Sequence, residues 1–269
     1  MSAPKLKNLI IVVLLLVNVF LMILVIPAQL EARRQSREAG QRLEALFAAD
    51  DIAFHPETVP QGKKLREVRM TVDAQMCAAA AKALLGEDTV QRETERGAYY
   101  TSSLGSLQFT GTKFTAMLSL PAQSPEEVSR TVLETMGLHV FDLQSEEENG
   151  VVTHTVRLEI LGFPVADSPV TLRFENGCLT FMEGVMMTEQ MLTRVGRTDA
   201  VSARNALVAF LGNRLSTGWM GSAVYAVEQG WYVSRTSGND SILCPVWCIF
   251  TDTGDYLVNG ITQSVFLGA

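Results

Sequence analysis

The most strongly apolar stretch of the chain lies close to its amino terminus. Residues 9–26 are apolar with one exception, Asn18, and Pro27 and Ala28 prolong the run. A helix of about twenty apolar residues is long enough to cross the ~30 Å hydrocarbon core of a bilayer. The residues that follow lack the small-residue cleavage pattern of a secretory signal. We therefore predict an uncleaved transmembrane anchor over residues 9–28.

Asn18 lies in the middle of this span and allows two interpretations. Its amide can hydrogen-bond to a neighbouring transmembrane helix, an interaction worth ~0.6–2 kcal/mol, or it can be a single tolerated polar residue. Charge leaves the orientation of the anchor open, because two lysines precede the span and four arginines follow it within residues 33–42. Counting positive charges would place the large C-terminal part in the cytoplasm, but long domains can translocate despite such charges.

After the anchor, the pattern of apolar and polar positions becomes typical of soluble structure. Residues 29–64 begin as a polar juxtamembrane helix and end in a connector that contains Pro and Gly. Beyond it, one helix followed by several short alternating segments recurs over residues 65–121, 122–194 and 195–269. We predict three units, each with one helix packed on a curled antiparallel sheet.

Local signals place the elements within these units. The alanine-rich stretch Val72–Leu85 predicts the first helix, and Ser124 followed by Pro125 marks the start of the second. Asn-Gly tolerates positive φ, so Asn176-Gly177 predicts a hairpin turn. No Gly-rich loop joins a strand to a helix, which argues against a doubly wound nucleotide-binding fold. The predicted fold class is α+β, with an N-terminal transmembrane helix followed by the repeated units.

Composition and charge limit the partners, disulfides and metal sites that are expected of the chain. Its net charge is −7, and no basic patch is visible along the sequence, so a nucleic-acid partner is not expected. Cys244 and Cys248 on an extended strand would lie ~13 Å apart, farther than a disulfide allows. We predict that the four cysteines are buried thiols. The three histidines are scattered without ligand spacing, so neither a metal site nor a cofactor is predicted.

One short motif invites a catalytic interpretation. Asp252-Thr253-Gly254 matches the D-T-G of aspartic peptidases, but that chemistry needs two carboxylates that share a proton, and the motif occurs once. Asp and Gly are also preferred turn residues, so we predict a hairpin turn here. No nucleophile elbow, zinc-protease motif or phosphate-binding loop is present, and no catalytic residue is predicted. A hydrolase site assembled only in the folded chain stays a third alternative.

Four methionines, Met182, Met186, Met187 and Met191, lie close together after a predicted strand. Methionine side chains adapt to varied partners, and an exposed apolar segment here would mark a binding surface. Core packing is the commoner reason for such residues. Together with Asn18, we take Met186, Met187 and Met191 as candidate partner-binding residues.

Two stretches resemble YycI-like regulatory proteins. Gly162–Val165, followed by Ser168 and by Leu172–Gly177, looks like the family's G-x-P-V stretch and the strand and Asn-Gly turn beyond it. Pro245–Asn259 looks like the family's closing P-x-W-x-I and G-x-Y-x-V-N strands. Similar helix-plus-strands units occur in PepSY-type domains.

The resemblance implies an extracytoplasmic accessory protein of Gram-positive bacteria. Such a protein acts with a YycH-like partner on the sensor histidine kinase of the cell-wall two-component system, through contacts of the membrane helix and the outer domain and without catalysis. The resemblance also implies a short cytoplasmic tail over residues 1–8. The alternative is a PepSY-like modulator or inhibitor of cell-surface peptidases, which would bind through the sheet or its edge by strand addition.

Overall fold

The computed structural model describes residues 13–17, 20, 38–55, 57, 59–94 and 97–268. The chain divides into two compact units, Met1–Glu57 and Thr58–Ala269. Among the described residues, no helix is both long and apolar enough to cross a membrane. The predicted anchor, including Asn18, lies outside the described residues except at 13–17 and 20.

In the first unit, helix α1 covers residues 38–49. This helix falls within the juxtamembrane helix that the sequence predicts. A short extended segment, β1 (Ala53–Phe54), follows it. The rings of Phe47 and Phe54 stack with their centroids 4.6 Å apart, so the helix and the extended segment share an apolar contact.

The second unit is mixed α+β, with a few helices and two antiparallel sheets, as the predicted fold class requires. Its helices and strands follow in chain order: β2 (Val68–Thr71), α2 (Ala74–Leu85), β3 (Val90–Thr94), β4 (Gly97–Ser102), β5 (Gly105–Thr110), β6 (Lys113–Pro121), α3 (Pro125–Thr135), β7 (His139–Glu148), β8 (Val151–Ile160), β9 (Phe163–Pro164), β10 (Val170–Glu175), β11 (Cys178–Val185), β12 (Leu192–Arg194), α4 (Ala203–Gly212), α5 (Arg214–Thr217), β13 (Ala223–Ser237), β14 (Asp240–Thr251), β15 (Gly254–Asn259) and β16 (Val265–Leu267).

The larger sheet has the strand order β3-β4-β5-β6-β11-β10-β8-β7, with β9 paired to β8. Its first four strands follow α2 in the chain and its remaining strands follow α3, so each helix introduces one half of the sheet. The two halves meet through their last strands, because β6 pairs antiparallel with β11. Helix α2 contacts β4 and β5, α3 contacts β7 and β8, and the two helices contact each other. One core therefore lies beneath both helices.

The smaller sheet has the order β13-β14-β15-β16, and all of these pairs are antiparallel. Strand β14 pairs with β15 along its second half, whereas the first half of the same strand pairs with β2. Strand β2 also pairs with β12. Strand β2, which precedes α2 in the chain, thus belongs to the same sheet as β13–β16, which follow α4. Helix α4 contacts β14 and β15.

Two details of the sequence prediction need correction. Helix α2 begins at Ala74 instead of Val72, because the Asp73 carboxylate accepts a hydrogen bond from the Met76 amide and caps the helix. The sequence also predicts two strands separated at Gly230, but β13 is continuous. A Cβ at Gly230 would lie 2.8 Å from the carbonyl oxygen of Pro164, so this glycine permits a close approach of two backbones instead of forming a turn.

The seam between β6 and β11 gives a testable prediction. A Cβ at Gly184 on β11 would lie 2.7 Å from Val170 Cγ2 and 3.2 Å from Phe114 Cζ. Gly184→Ala should therefore lower the free energy of unfolding by about 1–3 kcal/mol through overpacking. Urea denaturation of the full chain in detergent measures this change.

Gly212 provides the matched control, since a Cβ there would have no heavy atom within 4 Å and the residue ends α4. Gly212→Ala should raise the free energy of unfolding by about 0.5–1 kcal/mol, because alanine loses less backbone entropy in a helix. If both variants changed stability in the same direction, the tight packing at the seam would be refuted.

Candidate functional site

A cavity of about 480 Å³ lies where α2, the end of α3 and the segment after β11 meet. We call it the methionine groove. Its wall is formed by Met76, Ala79, Ala80, Ala83, Thr135, Met136, Gly137, His139, Met186, Thr188, Glu189 and Gln190.

The alanine content of α2 creates this groove. Met76, Ala79, Ala80 and Ala83 recur at helical spacing and therefore lie along one face of the helix. Ala79 and Ala83 are exposed, whereas Ala80 is buried. Alanine side chains leave room beside the helix that larger residues would fill, so an apolar face stays open to solvent.

The predicted partner-binding methionines only partly contribute to this surface. Met186 and Met187 are 2% and 1% exposed, and Met182 is fully buried. They do not form an exposed patch, because the Met186 amide donates to the carbonyl oxygen of Thr112 and holds the segment against the larger sheet. Met186 nevertheless lines the groove. Asn18 and the side chain of Met191 lie outside the described residues.

One polar atom in the groove wall is unsatisfied. Thr188 is 7% exposed, and its Oγ1 is buried without a hydrogen-bond partner among the described residues. Leaving a buried hydroxyl unpaired costs about 1–3 kcal/mol. The next residue, Glu189, accepts a hydrogen bond at Oε1 from the Leu161 amide at 3.0 Å, which ties the segment to the turn between β8 and β9. The groove wall therefore combines apolar side chains with one buried hydroxyl that has no hydrogen-bond partner among the described residues.

A serine–histidine pair lies between α3 and the larger sheet, outside the methionine groove. Ser129 Oγ on α3 and His154 Nδ1 on β8 are 2.8 Å apart, and both residues are buried. The His154 ring packs against Phe174 with a centroid distance of 5.1 Å. Within the part of the chain that the structure describes, no carboxylate hydrogen-bonds to His154, and Ser129 is fully buried, so the pair links a helix to the sheet.

The D-T-G motif forms the turn that the sequence predicts. Thr251 pairs with Gly254, so Asp252 and Thr253 are the loop between β14 and β15. Asp252 Oδ2 accepts hydrogen bonds from the Ser222 amide at 2.7 Å and from its hydroxyl at 2.9 Å. These bonds, led by the one from the amide, hold the pKa of Asp252 below its usual value.

The cysteines are poor candidates for chemistry. Cys77, Cys244 and Cys248 are buried, whereas Cys178 is intermediate in exposure. Burial raises the thiol pKa to about 11 for Cys77 and Cys244 and to about 12 for Cys248. These groups are therefore protonated at neutral pH. Over the described ranges, no group of His, Cys, Asp and Glu is arranged to hold a metal ion.

The fold also brings together basic residues that are distant in sequence. Arg194 of β12 pairs with Val68 of β2, and the preceding Lys64 and Arg66 run beside the residues that follow β12. We call Lys64, Arg66 and Arg194 the basic cluster. Lys64 and Arg194 are distant in the sequence and become neighbours only through long-range strand pairing, so no run of basic residues indicates this cluster.

Comparisons with known proteins give the following results. No family model matches the chain, and no curated protein matches it. A solved structure of an uncharacterized protein from Eubacterium rectale has a TM-score of 0.47 at 10% identity, covering 76% of this chain and 86% of that one. The Bacillus megaterium YpeB C-terminal domain has a TM-score of 0.38 at 11% identity, covering 74% and 99%. Cyanobacterial PsbP (CyanoP) from Synechocystis sp. PCC 6803 has a TM-score of 0.22 at 9% identity, covering 60% and 97%. At these TM-scores, the likenesses support no conclusion about function.

The buried histidine gives a pH-dependent prediction. Burial lowers the pKa of His154 below its ordinary value of 6.5, although the charge of Glu126 opposes this shift. Below pH 6.5 the unfolded chain therefore binds a proton that the folded chain excludes, so stability falls as the pH is lowered from about 7 toward the depressed pKa. Urea denaturation between pH 7.5 and 5 should show this loss.

Replacing His154 by Phe should remove this contribution, whereas His139→Gln, at an exposed histidine on β7, should leave the pH dependence intact. A pH profile that is unchanged in the His154→Phe variant would show that another group is responsible.

Proposed function

We propose that the chain is a membrane-anchored, extracytoplasmic accessory protein that regulates a two-component sensor histidine kinase through protein–protein contacts. A YycH-like protein is the second partner in this proposal, and no catalytic step is involved. The support is the resemblance of Gly162–Val165 and Pro245–Asn259 to YycI-like proteins, together with an open apolar groove.

The methionine groove is the observation that carries the proposal. Two exposed alanines, Ala79 and Ala83, lie with the half-buried Met76 in this groove and can accept apolar side chains of a helix or an extended segment. Met136 and Met186 complete the wall as buried residues. Methionine adapts its conformation at low cost, so such a surface can remain occupied while a partner changes between two states. A regulator must bind these two states with different affinity in order to shift their populations.

The membrane anchor supplies the second contact in this proposal. A helix over residues 9–28 would lie beside the transmembrane helices of the kinase, and the Asn18 amide would hydrogen-bond across that interface. Asn18→Leu should then weaken regulation of the kinase while the soluble part still folds, because one interhelical bond of ~0.6–2 kcal/mol is lost.

Transcription from a promoter that the kinase controls is the measurement for Asn18→Leu. Leu14→Ile, within the same apolar run, is the control. Normal regulation by a chain whose whole anchor has been exchanged would exclude a role for the anchor sequence.

A PepSY-like modulator of cell-surface peptidases is the second candidate function. Among the described strands, β7 forms one edge of the larger sheet, and it could accept an added strand from a partner. Its hairpin tip contains three exposed glutamates, Glu146, Glu147 and Glu148, so a basic segment would fit best.

Site-specific photo-cross-linking distinguishes the two functions. A photoreactive amino acid at Ala79 in the groove should capture a histidine kinase from membranes of the native cells, as identified by mass spectrometry. The same group at Val208, which is 50% exposed on α4, is the control and should not capture the kinase. Capture of a peptidase at Ala79, with no kinase, would favour the second candidate.

A matched pair of arginine substitutions tests whether the groove regulates. Ala79→Arg places a charged side chain in the groove without loss of helix propensity. With the photoreactive group moved to Ala83, which is also exposed in the groove, this substitution should reduce the cross-linking yield and the regulatory effect by at least about tenfold, the equivalent of 1.4 kcal/mol. Val208→Arg should leave both unchanged. A folded Ala79→Arg protein that regulates normally would contradict this role of the groove.

A further inference from the structure

A second cavity, of about 370 Å³, opens beside the basic cluster. It lies between the β2–β12 pair of the smaller sheet and the turn that joins β8 to β9. Its volume is within the range of pockets that hold small molecules. It shares no lining residue with the methionine groove.

The charges at this cavity are unbalanced. Lys64, Arg66 and Arg194 line it together with a single carboxylate, that of Asp199. Arg66 forms an ion pair with Asp199, and this interaction, together with the nearby Lys64, holds the pKa of Asp199 below its usual value. Among the described residues, neither Lys64 nor Arg194 is in an ion pair. Two cations are thus left at the mouth of a cavity in a chain whose net charge is −7.

The other residues that line the cavity, Leu65, Val68, Leu161 and Trp231, are apolar. Arg194 and Val68 are directly opposite each other in an antiparallel pair, so their side chains lie on the same face of the sheet. Val68 and Trp231 are buried, and the Trp231 indole N–H donates to the carbonyl oxygen of Ile160 at 2.8 Å. With its N–H already paired, the buried indole contributes apolar carbon atoms to the cavity wall.

Leu161 in this wall has an unusual conformation. It forms a two-residue turn with Gly162, and the φ angles are 54° and 79°. Two other turns of the larger sheet have almost the same angles but use asparagine, Asn149-Gly150 (53° and 78°) and Asn176-Gly177 (52° and 73°). Asparagine tolerates positive φ far better than leucine does. The chain therefore has a 44% exposed leucine where local preference favours asparagine.

We propose that this cavity binds a small phosphomonoester with an apolar stem. The phosphate lies on Lys64 and Arg194, and the stem packs against Leu161 and Trp231. A phosphomonoester carries a charge of about −1.5 to −2 at neutral pH. Two unpaired cations balance this charge better than they would balance the single charge of a carboxylate. The exposed leucine is explained because its side chain contacts the stem.

n-Butyl phosphate, inorganic phosphate and n-butylammonium are the probes for this site. Isothermal titration calorimetry on the full chain in detergent should show that butyl phosphate binds at least about tenfold more tightly than inorganic phosphate, because the stem buries apolar surface. Butylammonium should not bind. Equal affinity for butyl phosphate and butylammonium, or binding of neither phosphate, would overturn the proposal.

Two kinds of variant distinguish binding of the phosphate group from binding of the apolar stem. Lys64→Gln and Arg194→Gln should each weaken both phosphates by at least about tenfold, equivalent to the loss of 1.4 kcal/mol. Leu161→Asn should weaken only butyl phosphate and should keep or raise the thermal midpoint of unfolding, because Asn-Gly suits this turn. Arg173→Gln, at an arginine that lies over the Phe181 ring away from the cavity, is the control and should leave binding unchanged.

General salt effects are distinguished by the same variants. Phosphate stabilises many proteins without binding to a site, and that effect would be equal in wild type and in Lys64→Gln/Arg194→Gln. An equal effect would therefore refute the proposal. If the double variant does not fold, the test is whether wild-type protein broadens the ³¹P signal of butyl phosphate. Reversal of the broadening by inorganic phosphate, but not by chloride at equal ionic strength, supports the site, and no broadening refutes it.

Discussion

The pairing of β6 with β11 is the contact on which the larger sheet and the packing of α2 and α3 depend. Each half of the larger sheet carries a single helix, α2 over β4 and β5 and α3 over β7 and β8. Joining the two halves through their last strands places both helices over one continuous core. The groove beside α2 exists because this pairing brings α3 and the segment after β11 to the same place.

The smaller sheet is completed by a strand from far away in the chain. Strand β2 precedes α2, yet it pairs with β14 and with β12. This arrangement gives the fold a high proportion of long-range pairings, whose formation requires closure of long loops. It also assembles the basic cluster, because the residues just before β2 then run beside the residues just after β12.

Elements defined by short-range signals could be predicted from the sequence. The second helix starts at Pro125, and the turns at Asn176-Gly177 and Asp252-Thr253 are where their residue types place them. Strand partners could not be predicted, since period-two alternation shows which face of a strand is buried but does not identify its neighbour. For the same reason, the burial of Met186 and the convergence of Lys64 with Arg194 are visible only in the folded chain. Leu161-Gly162 lacks the asparagine that identifies the turn at Asn176-Gly177, so no local signal marked its position.

The hydrogen bond from the Leu161 amide to Glu189 joins the walls of both cavities, because Leu161 lines one and Glu189 lines the other. A molecule that displaced the Leu161 backbone would stretch this bond or move the Glu189 side chain. Occupancy on one side would then alter affinity on the other, and thermodynamic reciprocity requires the same factor in both directions. A single backbone amide thus connects two otherwise separate surfaces.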